Sequence, residues 1–218
     1  MSKVTNNDLI STGFDRGIDF KSMKKLFIAE YEKIINSINE LSEDDRNYVS
    51  KRRKLINRLI YLFIAMIQLR NGSRISEAVE AFILFMDSEN FEDKVIVKIA
   101  KSKSIKYKKD TKEQYETKTR YRKMIFPNKW FDIDFISDMK FYLEHIDKER
   151  LKKRVLDFLL LNFNCNTHSL RYSFINYMLY DQKKEMTLIA KFVGHVDVSQ
   201  LVRYTQQKNT EQIFDLDI

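Results

Sequence analysis

Three histidines occur in 218 residues, at positions 145, 168 and 195, and two of them fall in the closing stretch. There His168-Ser169-Leu170-Arg171 leads, through an apolar helical stretch, to Val193-Gly194-His195 and then to Arg203-Tyr204-Thr205. An imidazole, a guanidinium, a second imidazole and a phenol at this spacing can build a phosphate-handling site with its own nucleophile.

Such a site needs a scaffold and a polyanionic partner. The length fits one medium domain, or a domain with a small appendage. Hydrophobic residues make up 44% of the chain, enough for a real core, and the net charge of +8 favours a polyanion. The distribution says more than the total. Between Lys94 and Lys129 there are 13 Lys/Arg against Asp110, Glu113 and Glu116, so this segment carries the whole positive excess. Facing phosphates, such a stripe gives salt-dependent affinity; the alternative is a solvated lysine-rich loop. One cysteine forms no internal disulfide and no zinc cage, which points to a reducing, intracellular setting without structural metal. No apolar run is long enough to span a bilayer.

Four glycines and one proline predict a mostly helical protein. Met23, Leu26, Phe27, Tyr31, Ile34, Ile35, Ile38 and Leu41 recur at helical steps. Ser42-Glu43-Asp44-Asp45 reads as the cap of a second helix, which stops at Asn71-Gly72. Its run Lys51-Arg52-Arg53-Lys54 is read as a solvated face, with DNA contact as the alternative. Ser73 is the expected cap of a third helix. Arg74 in its first turn opposes the helix dipole, which an anionic ligand held there would justify. Val95–Ile99 and Arg122–Phe126 alternate as two paired strands. The basic segment between them, Lys101 to Arg120, either extends the strands as a ribbon or orders on DNA. Residues 133–146 and 148–161 predict two more helices. Leu170, Phe174, Tyr177 and Met178 form the buried face of the helix carrying Arg171, and Leu188, Ile189, Phe192 and Val193 do the same for His195.

Gly72-Ser73-Arg74-Ile75-Ser76-Glu77 resembles the first arginine box of the tyrosine recombinases, the phage-type and Xer-type integrases. His168-Ser169-Leu170-Arg171 resembles their H-x-L-R box, Gly194-His195 their later G-H pair, and Tyr204 their nucleophile. Four boxes stand in family order over residues 50–210. The resemblance implies a mainly α catalytic fold with a small antiparallel β-hairpin, and cleavage and rejoining of double-stranded DNA through a tyrosine. It places the catalytic domain at 50–218, after a lead-in and helix at 1–49 with no room for the family's full N-terminal clamp.

The chemistry suits the residue types. Two guanidiniums, Arg74 and Arg171, match the non-bridging oxygens of a pentavalent phosphate in a way lysine does not. His195 adds a donor, and His168 is the candidate base or relay for the Tyr204 phenol, whose reference pKa is about 10. The family's general acid is a lysine on a strand hairpin; Lys101 matches it best, with Lys103 in reserve. Lys103, Lys106, Lys108, Lys109, Arg120 and Arg122 are the expected DNA contacts. No metal or other cofactor is expected. The apolar end, Ile213, Phe214, Leu216 and Ile218, implies tail exchange within a dimer or tetramer on DNA. Two other readings are a type IB topoisomerase, where a Lys or Arg usually replaces His168, and a non-catalytic DNA-binding protein on the same scaffold.

Overall fold

The computed structural model describes residues 18–88, 94–99, 105–107, 110–111, 113–116, 120–127, 130–131, 133–195, 198–199 and 201. Seven α-helices and four short strands fall among them: α1 Phe20–Asn39, α2 Tyr48–Asn71, α3 Ile75–Asp87, β1 Lys94–Lys98, β2 Ile105–Tyr107, β3 Gln114–Glu116, β4 Tyr121–Ile125, α4 Ile136–Glu144, α5 Lys148–Phe163, α6 Thr167–Asn176 and α7 Met186–Phe192. The protein is mainly α with antiparallel strand pairs, as its glycine-poor composition predicts. None of the described helices is long and apolar enough to cross a membrane.

The long helix α2 is the axis of the fold. Its second half, Leu59 to Leu69, is buried on every side except at Tyr61, because α1, α3, α4, α5, α6 and β4 all pack on it. Aromatic side chains close the space between α2, α3 and the hairpin: Phe85 stacks on Phe126 at 3.4 Å between centroids, and Phe131 meets both rings edge-on.

Helix boundaries follow local chemistry. Asp19 caps α1 by accepting from the Ser22 amide at 2.7 Å, and Asp147 caps α5 by accepting from Arg150 at 2.8 Å. The second helix begins later than Ser42 suggests, with Asn47 as its N-cap residue. Ser42 and Asp45 instead accept from the amides of Asp44 and Asn47, building a turn. Its end is where Asn71-Gly72 places it: Gly72 takes φ 54° and returns its amide to the Gln68 carbonyl.

β1 and β4 pair antiparallel, with Val95 opposite Met124 and Val97 opposite Arg122. Val95, Val97, Arg122 and Met124 point inward while Lys94, Ile96, Lys98, Tyr121 and Lys123 point out. β2 and β3 make a second antiparallel pair inside the 101–120 segment, with Lys106 opposite Tyr115. The described strands of this segment thus pair with each other, in a sheet separate from that of β1 and β4.

Candidate active site

The turn after α2 is the anchor of the site. A Cβ on Gly72 would lie 2.3 Å from Phe174 Cδ1, so the left-handed turn and the close approach of α6 both require glycine. That approach lets Arg171, on α6 and only 2% exposed, donate from Nη1 to the Gly72 carbonyl and from Nη2 to the Val193 carbonyl at 3.0 Å. One guanidinium thus ties the end of α2 to the end of α7.

Arg74 stands at the N-cap of α3, in extended conformation at φ −76° and ψ 155°. This corrects the expectation for Ser73, which is fully buried one residue earlier with its hydroxyl inside the protein. Glu77 takes over the capping role: its Oε2 accepts from the Arg74 amide at 3.3 Å, and its Oε1 accepts from Arg74 Nη1 at 3.0 Å. A carboxylate in the first turn also suits the helix dipole.

Arg122 departs from its expected place on a DNA-facing surface. It is 7% exposed, on the inward face of β4, and donates from Nη1 to Glu77 Oε2 at 3.4 Å and from Nη2 to the Asn71 carbonyl. Its guanidinium also lies 5.3 Å from the Phe192 ring centroid. Burial pushes its pKa down to about 10, Glu77 opposes that fall, and the positive charges of Arg171 and Arg74 add to it. Three guanidiniums therefore share one electrostatic environment, two of them paired with the same buried carboxylate, an arrangement that favours an incoming anion.

Two buried polar side chains, Gln68 and Asn71, hold these parts in register, a role the sequence reading did not give them. Gln68 Nε2 donates to the Ser73 carbonyl at 3.1 Å and to the Thr167 carbonyl at 2.7 Å, joining the arginine turn to the start of α6. Asn71 donates to the Ile67 and Ile125 carbonyls and accepts from the Ile125 amide, all at 2.8 Å, joining α2 to β4. The signal was available: both lie on the apolar stripe that continues from Ile64 and Ile67.

His168 is the second residue of α6 and is exposed; its amide donates to Asn166 Oδ1 at 2.7 Å. His195 is half-buried just beyond α7, its amide bonded to the Ala190 carbonyl at 2.8 Å. Between them, Gly194 at φ 75° leaves 3.1 Å from the position of a Cβ to Ile99 Cγ2, so the His195 turn packs against the end of the β1 strand. The structure thus brings Arg74 and Arg171 together and sets the backbone of His195 next to the residue that follows Arg171's acceptor, Val193. Arg120 is half-buried and its carbonyl accepts from the Ile99 amide at 2.9 Å; Lys106 lies in β2. Lys101, Lys103, Lys108, Lys109, Tyr204 and the apolar end at 213–218 lie outside the described residues.

No family model matches the chain. A Sputnik virophage protein bearing the name integrase V10 is 41% identical over 225 residues, spanning 99% of this chain and 98% of that one. The Methanocaldococcus jannaschii protein MJ0770 is 29% identical, spanning 92% of this chain and 86% of its own. An Acidianus two-tailed virus protein bearing the name integrase ORF241 is 28% identical, spanning 90% of this chain and 65% of its own. Among solved structures, the XerH site-specific recombinase bound to its difH substrate aligns with 93% of this chain and 53% of its own, at 16% identity and a TM-score of 0.38. On the first of these likenesses, close to full length on both sides, the chain belongs to the integrase family of the Sputnik virophage protein.

Proposed function

We propose that this protein cuts and rejoins double-stranded DNA at a specific site through a covalent 3′-phosphotyrosyl intermediate. The observation that carries the reading is the cluster of Arg74 and Arg171, two box arginines 97 positions apart in sequence, converging on one turn through Glu77 and Gly72. In this reading both guanidiniums, with His195, hold the non-bridging oxygens as negative charge builds on them. The Tyr204 oxygen attacks phosphorus in line and loses its proton to His168. The bond from phosphorus to the 5′ oxygen breaks, and Lys101, with Lys103 in reserve, gives that oxygen a proton. Rejoining runs the same steps backwards, with the 5′-hydroxyl as nucleophile.

The domain reading follows: residues 50–218 form the catalytic unit, and 1–49 supply a lead-in and α1. Lys103, Lys106, Lys108, Lys109 and Arg120 are the proposed backbone contacts on DNA, and the apolar end is the proposed link between protomers in a dimer or tetramer. No step calls for a metal ion.

A nicked suicide substrate carrying the attachment sequence tests the chemistry. Wild-type protein should form a covalent protein–DNA adduct that survives denaturing electrophoresis, and Tyr204→Phe should form none. Absence of an adduct with wild type on sites selected from a random DNA pool would defeat the proposal. Relaxation of supercoiled plasmid without any site requirement would shift it to a type IB topoisomerase.

A further inference from the structure

At the opposite end of α2 from the catalytic turn lies a groove of about 960 Å³, walled by α1, α2, α4 and α5. Lys51, Lys54, Arg58, His145, Arg150 and Arg154 line it, and no carboxylate does among the described residues. Two of these cations are engaged: Lys51 with Asp45 at 2.5 Å, and Arg58 with Glu30. Lys54, Arg150 and Arg154 are exposed and take no ion pair among the described residues. The basic run on α2 is a solvated face, and cations from α5 meet it across a concave surface.

Aromatic rings interleave with the charges. Tyr61 and Tyr142 join hydroxyls at 2.6 Å in the wall of the groove. An adjoining hollow shares Asn57, Tyr142 and His145 with the groove and carries Phe141, 53% exposed. The Phe141 ring lies 4.4 Å from His145, with the Arg53 guanidinium 6.0 Å from its centroid. The one carboxylate in this hollow, Asp138, is already held by Arg52 at 2.7 Å. A basic groove beside a solvent-facing ring, that of Phe141, suits a single strand, its phosphates on the cations and a base on the ring. Arg58 is 14 residues from Gly72, so the groove sits roughly 20 Å along α2 from the catalytic arginines.

We propose that this groove is a second nucleic-acid site that takes single-stranded DNA. It rests on the recombinase reading only in taking DNA as the polymer. Fluorescence anisotropy with a labelled oligothymidylate, and separately a mixed-sequence duplex, tests it on the full chain. Arg150→Ala with Arg154→Ala, and Phe141→Ala alone, should each weaken oligothymidylate binding about tenfold. Duplex binding and suicide-substrate adduct formation should stay at wild-type levels, and circular dichroism should show an unchanged fold. Oligothymidylate binding untouched by either variant overturns the proposal. So does an equal loss for duplex and single strand, which marks a plain phosphate contact without stacking. If wild type traps no adduct while the strand-selective loss remains, the recombinase reading falls and this site stands.

Discussion

The Glu77 carboxylate, wholly buried, holds Arg122 Nη1 at 3.4 Å on the oxygen that also accepts from the Arg74 amide, while Arg74 Nη1 sits 3.0 Å from the other oxygen. This one acid therefore fixes a catalytic candidate from α3 and a structural arginine from β4 at the same time. Glu77→Gln removes the charge but keeps the shape, leaving two neighbouring guanidiniums without their anion. Breaking a buried ion pair of this kind costs about 3–5 kcal/mol. Urea denaturation should show a loss of about that size at neutral pH, accompanied by loss of suicide-substrate cleavage. Full stability in Glu77→Gln would show that the pairing does not matter to the fold.

Gly72 offers a steric test. Alanine there combines a left-handed backbone at φ 54° with a Cβ 2.3 Å from Phe174 Cδ1. Overpacking with backbone strain should cost about 2–4 kcal/mol. Adding Phe174→Leu should recover part of that cost, since it relieves the contact but not the conformation. A double-mutant cycle on thermal denaturation measures the recovery; additive losses would place the damage elsewhere.

Much of this arrangement was legible before any coordinates. Asn71-Gly72 announced the turn, and the box arginines Arg74 and Arg171 both lie at it. The strand alternation also contained the placement of Arg122, which shares its inward parity with Met124. Reading that segment by charge alone put the guanidinium outside, where a net count cannot distinguish a strand's two faces. Ser73 was expected as a cap because its residue type favours one, yet Glu77 already satisfies the Arg74 amide from within the helix. Gln68 and Asn71 were hidden for a different reason: their value comes from carbonyls at Ser73, Thr167 and Ile125, partners that only tertiary packing supplies.

Asn71 is accordingly a positioning residue whose loss should separate binding from chemistry. Asn71→Ala removes three hydrogen bonds and leaves the Ile125 amide and carbonyl without partners, a cost of about 2–3 kcal/mol. The shift of β4 against α2 should then lower the rate of adduct formation more than duplex affinity. Single-turnover cleavage measured beside anisotropy checks this. A parallel fall in both would indicate general loosening of the protein.

The arginine cluster also predicts how the protein responds to small anions. Arg122 has its pKa lowered to about 10, chiefly by burial. For a base lowered on folding, the unfolded chain holds the proton more tightly, so the folded state carries the full penalty below about pH 10. Rising pH relieves that penalty above about 10. At pH 7.5 the penalty is fully present, and an anion bound among Arg74, Arg122 and Arg171 offsets it. Sulfate should therefore raise Tm above that in chloride of equal ionic strength, by about 2–4 °C for each kcal/mol of stabilisation. Arg74→Ala, which removes the most exposed of the three guanidiniums, should shrink the sulfate increment towards the general salting effect. An increment of the same size in wild type and Arg74→Ala would mean that sulfate acts elsewhere and that this cluster does not gather anions.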